Sequence, residues 1–166
     1  MDTSILCVWL KVPGKETCGT GESGWDYEKV NAKVIEELAL KTTFVLPLAS
    51  IIETGNHIAQ CPGDPYDTAI SFAELIRKTA NNETPWAAFT VQADLWSKDK
   101  LNELAVVWPR MAASRISLGD ATIKDVADYY NVQGSTVEIF TGDQGLKAYE
   151  PIVAPITVPQ PRRRSR

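Results

Sequence analysis

The sequence has few of the residues that build zinc and redox centres. It contains one histidine, His57, and three cysteines at wide spacings, Cys7, Cys18 and Cys61. A zinc site takes about four nitrogen or sulfur ligands, and no CxxC pair is present, so the supply of such ligands is too small. We therefore expect three reduced thiols and neither a zinc site nor a redox-active dithiol.

Long apolar runs are also missing. No run approaches the roughly 20 apolar residues that span a bilayer. The first residues include an acid at position 2 and lack the basic and apolar regions of a signal peptide. With 44% hydrophobic and 23% charged residues, the chain has the composition of a soluble globular domain. These features predict a cytoplasmic protein with no membrane partner.

Positive charge is scarce outside the carboxyl end. The 166 residues carry a net charge of −4, and four of the 17 basic side chains are the arginines of the final PRRRSR. Without them, 13 basic residues face 21 acids, so the body repels a polyanion unless cations or a local basic patch intervene. We predict a single domain over residues 1–150 and an extension over 151–166 with a disordered basic tail.

The order of apolar patterns predicts an α/β fold. Ile5–Leu10 is a continuous apolar run typical of a buried strand, and Phe44–Leu46 and Val137–Phe140 predict two more strands. Helical spacing is present in the segments between them: Tyr27–Leu40, residues 48–60, Ala69–Lys78, Leu95–Met111 and Asp120–Tyr130, with a short helical piece at Leu146–Tyr149. Strands that alternate with helices imply a mostly parallel central sheet with helices on both faces.

Four acids fall at positions where a ligand site is expected. Asp2 precedes the first apolar run, Glu53 lies on an apolar helix, Asp120 opens a helix, and Asp143 follows the last predicted strand. Each has an ordinary alternative role: a solvated terminus, a surface glutamate, a helix N-cap and a turn residue, respectively. Carboxylates that are gathered together repel one another, so a fold that clusters them needs a hard cation such as Mg²⁺ or Mn²⁺.

The same acids lie in motifs that resemble those of the PIN-domain ribonucleases. The chain opens with Asp2-Thr3-Ser4-Ile5-Leu6, and Glu53 follows on a helix. A later helix begins SLGDATIKDVA over residues 117–127, and the predicted strand after it ends in Thr141-Gly142-Asp143. All four motifs occur in the family's order. The resemblance implies a three-layer PIN-like fold for residues 1–150.

The resemblance also implies an activity. A metal-dependent endoribonuclease would hydrolyse RNA phosphodiester bonds to a 5′-phosphate and a 3′-hydroxyl. Asp2, Glu53, Asp120 and Asp143 would hold one or two Mg²⁺ or Mn²⁺ ions, and Thr141 and Ser4 would orient the carboxylates. PIN domains commonly dimerise, which suggests a homodimer. Many are toxins of prokaryotic toxin–antitoxin pairs, which suggests an antitoxin protein as a partner.

The sequence departs from the family's pattern and leaves other functions open. Leu146 stands where the family often has an aromatic residue, and the segment 61–115 matches nothing diagnostic. One alternative is a catalytically idle PIN-like module that binds RNA or protein. Another is a hydrolase of small phosphate esters, although no P-loop is present. The body's best candidates for phosphate contacts are four basic residues that could equally be solubilising surface charges: Arg77, Lys78, Arg110 and Arg115.

Overall fold

The fold is predominantly helical. The computed structural model describes residues 1–21 and 24–152, and for residues 89 and 90 the main chain only. The predicted basic tail therefore lies outside the described residues. The described α-helices are α1 (Thr3–Trp9), α2 (Tyr27–Ala39), α3 (Leu48–Ala59), α4 (Tyr66–Ala80), α5 (Lys98–Ala113), α6 (Leu118–Val132) and α7 (Gln144–Lys147), with a 3₁₀-helix over Phe89–Trp96.

The predicted α/β fold with a mostly parallel central sheet is wrong. The described residues are 60% helical, and they form one two-stranded antiparallel sheet, β1 (Thr17–Cys18) with β2 (Trp25–Asp26). The only parallel pairing in this part of the chain is an isolated bridge between Phe44 and Trp86. The predicted three-layer PIN-like arrangement is wrong for the same reason, because it requires a central sheet.

The first apolar run shows why the sheet was predicted. Ile5–Leu10 was expected to be a strand, but Thr3–Trp9 is the helix α1. Its buried residues include Ile5, Leu6, Cys7 and Val8. A short helix buried on nearly all sides shows no helical spacing of polar residues, and its sequence then reads like a buried strand. Asp2 favours the helix locally, because its side chain accepts hydrogen bonds from the first two amides of the helix.

The other two predicted strands are extended segments without a strand ladder. Phe44 donates its amide to the Pro85 carbonyl and accepts from the Ala87 amide, at 2.8 and 2.9 Å, and this pairing ends after one bridge. The segment around Ile139 and Phe140 is buried but belongs to no strand of the described chain. The segments lie where strands were expected but lack the repeated pairing that defines a sheet.

The predicted helices agree with the structure more closely than the predicted strands do. The helix expected over Tyr27–Leu40 is α2, and Asp26 caps it by accepting a hydrogen bond from the Lys29 amide at 2.8 Å. The helix after Pro47 is α3, which continues through Gly55. Amphipathic spacing together with a cap is the strongest local signal of a helix. Among the residues that the structure describes, no helix combines the length and the apolar character needed to cross a membrane.

The core is built around α1. Ile5 and Leu6 of α1 are fully buried, and they belong to one cluster with Val30 of α2, Leu46 and Phe140. A second cluster of Ile123, Ala127, Ile139 and Leu146 joins α6 to the carboxyl end of the described chain. The two clusters meet at Ile139–Phe140, so this segment links the halves of the core.

Truncating a side chain at the centre of this core tests the packing around α1. Leu6 is 0% exposed and Leu40 is 68% exposed, so Leu40→Ala is a matched control for Leu6→Ala. We expect Leu6→Ala to lower the free energy of unfolding by about 2–5 kcal/mol, since it removes buried methyl groups and leaves a cavity. The control is expected to change it by less than about 0.5 kcal/mol. Urea denaturation measures both, and equal effects would contradict this packing.

Candidate functional site

Asp2 is the hub of the candidate site. Its carboxylate is 6% exposed, and Oδ1 accepts a hydrogen bond from the Thr3 amide at 2.6 Å. Oδ2 accepts from the Ser4 hydroxyl at 2.7 Å and from the Thr141 hydroxyl at 2.8 Å. The first two partners come from α1, and the third comes from the other end of the domain. One buried carboxylate therefore joins the first helix to the Thr-Gly-Asp motif.

The Thr-Gly-Asp motif continues from this hub. The Thr141 hydroxyl that donates to Asp2 also accepts from the Asp143 amide at 2.9 Å. Asp143 then serves as the N-cap of α7, where its Oδ1 accepts from the amides of Gly145 and Leu146 at 2.6 and 3.3 Å. Asp143 is exposed. The sequence offered a turn residue and a metal ligand as alternatives for Asp143; in the structure it caps a helix, and its role as a metal ligand stays a prediction.

Glu53 and Asp120 form the other half of the site. Thr3 of α1 donates its hydroxyl to Glu53 Oε2 at 3.1 Å. A Cβ atom added to Gly119 would lie only 2.2 Å from Glu53 Oε1, so the glutamate carboxylate rests against the first turn of α6. Asp120 follows Gly119 directly and forms a capping box with Ser117, whose hydroxyl is 2.8 Å from Asp120 Oδ2.

The four predicted acids thus follow one another in space in the order Asp143, Asp2, Glu53 and Asp120. Thr141, Thr3 and Gly119 lie between successive members. In the described part of the chain none of the four forms an ion pair with a lysine or arginine. However, the same residues contain no group of three or more histidine, cysteine, aspartate or glutamate side chains arranged to hold a metal ion. The carboxylates are neighbours in a network rather than a closed ligand shell.

The carboxylates have the donor chemistry that suits a divalent cation, but the described residues do not arrange them around one. Carboxylate oxygens without a cationic partner are the donors that Mg²⁺ and Mn²⁺ prefer. Hydrogen bonds from described residues reach only Oδ2 of Asp120 and only Oδ1 of Asp143, so each retains one carboxylate oxygen for another ligand.

The predicted phosphate contacts differ among themselves. Arg77 pairs with Glu74 at 2.7 Å and with Glu83 at 3.0 Å, and Lys78 also approaches Glu74. These pairs neutralise the two cations, which favours the ordinary role of surface charge. Arg110 and Arg115 form no ion pair with the described residues, and they remain candidates.

The sequence analysis did not identify Cys18, which lies beside the Thr-Gly-Asp motif, or Gly119, which lies beside Glu53. A Cβ atom on Gly142 would lie 2.6 Å from Cys18 Sγ and 3.0 Å from the Gly19 amide nitrogen, so Cys18 packs directly against the Thr-Gly-Asp motif. Burial raises the pKa of the Cys18 thiol, and the negative charge of Asp2 acts in the same direction. The isolated position of Cys18 in the sequence gave no signal of this contact, whereas Gly119 could have been noticed because it precedes a candidate acid on a helix.

Replacing Thr141 with an isosteric apolar residue tests the hub. Thr141→Val removes the donor to Asp2 and the acceptor of the Asp143 amide while keeping the side-chain shape. We expect a loss of about 1–3 kcal/mol in the free energy of unfolding, since buried polar groups lose their partners. Thr136→Val at an exposed site is the control and should change little. A Thr141→Val protein as stable as the unmodified chain in urea would show that the hub contributes no stability.

Comparison with known proteins identifies no relative. No protein-family model matches the chain. No curated protein matches it, and neither does any solved structure. The similarity to PIN-domain ribonucleases consequently rests on the four acidic motifs of the sequence alone, and it remains a resemblance.

Proposed function

We propose that the chain is a metal-dependent endoribonuclease whose acids Asp2, Glu53, Asp120 and Asp143 bind one or two Mg²⁺ or Mn²⁺ ions. The observation that carries the proposal is the network around Asp2. Thr3 and Thr141 link Asp2 by hydrogen bonds to Glu53 and to the Asp143 amide, and Glu53 rests against Gly119, the residue before Asp120.

The charge of the network supports a bound cation. A carboxylate that is 6% exposed, with no lysine or arginine paired to it among the described residues, is costly unless hydrogen bonds or a cation compensate it. Asp2 has the hydrogen bonds, and the neighbouring acids add further negative charge. A divalent ion there would lower the pKa of a water molecule and stabilise negative charge on a phosphate group.

The chain's own residues then have distinct roles in this proposal. Ser4 and Thr141 donate to Asp2 and hold its carboxylate in one orientation. Thr3 does the same for Glu53. Asp120 and Asp143 each offer one carboxylate oxygen and are less buried than Asp2, so they lie where a phosphodiester could approach from solvent. The orienting hydroxyls matter because a ligand that is free to rotate binds an ion weakly.

A second candidate is a binding module in which the acids cap helices and cleave nothing. Asp2 and Asp143 are N-caps, and Asp120 belongs to a capping box. Helix caps account for these three carboxylates without any ion, and no three-acid group is formed by the described residues. Such a module would bind RNA or protein through other surfaces. A partner antitoxin and a homodimer remain predictions under either candidate.

Cleavage of a labelled structured RNA separates the two candidates. We expect the unmodified chain to cut in Mn²⁺ and to stop cutting when the ion is chelated. Asp120→Asn should lose more than about a hundredfold in rate, because loss of a residue that merely orients a ligand already costs 10–100-fold. Asp128→Asn is the matched control on the same helix, where Asp128 pairs with Lys124, and it should cut normally.

Each alternative outcome has a distinct meaning. Full activity of Asp120→Asn would show that Asp120 is only a capping residue. Binding of RNA without cleavage under any metal condition would favour the binding module. Thermal denaturation of both variants accompanies the assay, because a loss of folded protein must not be mistaken for a loss of activity.

Gly119 offers a test that leaves all four acids intact. In Gly119→Ala the new methyl group must displace the Glu53 carboxylate, whose oxygen lies 2.2 Å from the Cβ position. The displaced atom is the end of a flexible side chain, so we expect a stability close to that of the unmodified chain but at least a tenfold loss of Mn²⁺-dependent cleavage. Gly55→Ala, whose Cβ would lie an ordinary 3.8 Å from Phe72, should gain up to about 1 kcal/mol and keep its activity. Equal activity of both variants would argue against a role for Glu53.

A further inference from the structure

An open cleft of about 390 Å³ lies at the carboxyl end of α1, between α2 and α4. Each of the three helices contributes side chains to it, and Trp86, which follows α4 in the chain, completes the lining. We call it the aromatic cleft. Trp9 at this end of α1 follows Asp2 by seven positions, which is about 10 Å along a helix. The cleft is therefore distinct from the acidic network around Asp2.

The floor of the cleft is aromatic. The rings of Trp9 and Trp86 are tilted by 35° with 6.2 Å between their centroids, and Trp86 is only 6% exposed. Trp86 also packs against Phe44 of the core at 5.3 Å, which fixes its position. The indole N–H of Trp86 finds no acceptor among the described residues but is not enclosed by protein, so it is available to a ligand. Fixed aromatic surfaces of this kind are platforms on which planar rings stack.

The walls of the cleft are polar. Tyr27 and Asn31 lie one turn apart on α2 and therefore share a face of that helix. On α4 the lining residues Ser71, Glu74 and Lys78 follow the same helical spacing. The side-chain amide of Asn31 forms no hydrogen bond with the described residues, and an amide can both donate and accept. A ligand in the cleft thus meets a free amide beside the aromatic floor.

The charges at the rim limit what the ligand can be. The Lys11 ammonium lies over the Tyr27 ring, 3.8 Å from its centroid, and within the described chain it forms no ion pair. Lys78 is 3.7 Å from Glu74, whose carboxylate is held more closely by Arg77 at 2.7 Å. A cationic ligand would meet two ammonium groups here, although aromatic clefts otherwise suit cations. An aromatic ligand that carries a negative group is favoured instead.

We propose that the aromatic cleft binds one nucleobase of a nucleotide, which stacks on Trp9 and directs its edge to the amide of Asn31, with its phosphate towards the lysines at the rim. A base is planar, and its edge presents both hydrogen-bond donors and acceptors. The volume of the cleft falls within the ordinary range of about 300–1,000 Å³ for small-molecule sites. This inference concerns binding alone and does not depend on the proposed nuclease activity.

Isothermal titration calorimetry of the full chain with AMP, GMP, CMP and UMP tests the proposal. EDTA is present throughout, so that a metal ion on the acidic network contributes nothing and no RNA is cut. We expect saturable binding of at least one of the four nucleotides, with a Kd below about 1 mM. Because no metal is present, this result is independent of whether the acids catalyse cleavage.

Two variants place the nucleotide in the cleft. Asn31→Ala removes the amide and should weaken binding about fivefold or more, since the edge of the base loses its partner. Asn102→Ala is the matched control, because Asn102 is an exposed asparagine of α5 outside the cleft, and it should bind as the unmodified chain does. Trp9→Leu removes the stacking surface and should also weaken binding about fivefold or more, provided that its melting curve remains cooperative.

A hexanucleotide of the preferred base identifies where the base comes from, since a free nucleotide and an unpaired residue of RNA offer the same chemistry. Binding that is about tenfold or more tighter than that of the mononucleotide, and is weakened by Asn31→Ala, indicates single-stranded RNA. Binding no tighter than that of the mononucleotide indicates a free nucleotide. Either result keeps the base as the ligand.

Two outcomes would overturn the proposal. Absence of binding of all four nucleotides at millimolar concentration would show that the cleft takes no base, and binding of cellobiose in their place would identify a sugar site. Binding of the preferred nucleotide by Asn31→Ala as tight as by the unmodified chain would place that nucleotide elsewhere on the protein. The Asn31 comparison keeps the test decisive even if Trp9→Leu does not fold.

Discussion

The buried carboxylate of Asp2 is the interaction on which the rest of the structure depends. It starts α1 by capping the first amides, and it receives hydroxyl hydrogen bonds from Ser4 and from Thr141. Because α1 lies at the centre of the main core, the orientation of this helix sets the positions of Thr3 and, through it, of Glu53. Local helix formation, core packing and the candidate site therefore share one charged group.

The sequence predicted helices well and strands poorly, for a physical reason. A helix such as α2 carries its own evidence in an amphipathic spacing and an Asp26 cap, both of which are local. A strand is completed by a partner elsewhere in the chain, which no local pattern reveals. Phe44–Leu46 and Val137–Phe140 have the composition of strands, and in the described residues they lack the central neighbour that would turn them into a sheet.

The four acids could be selected from the sequence as a set, but their geometry could not, and their role as a site stays a prediction. Order and spacing of the motifs pointed to Asp2, Glu53, Asp120 and Asp143, and the network connects them. What the motifs could not supply was the orientation of each carboxylate. Asp120 turns to Ser117 and Asp143 turns to the amides of α7, because exposed amides at a helix start compete for the nearest acceptor. The motifs also gave no indication of Cys18, because its packing against Gly142 arises only from the tertiary fold.

The hydrogen bond between Asp2 and Thr141 spans 139 positions of the chain. During synthesis from the amino end, Asp2 leaves the ribosome long before its partner is made, and Thr141 emerges when nearly all of the described domain is already outside. The closure of so large a loop is an entropic cost that only the nearly complete core can offset. The contact between Asp2 and Thr141 is consequently among the last that a growing chain can form, and until then the charge of Asp2 is without its distal donor.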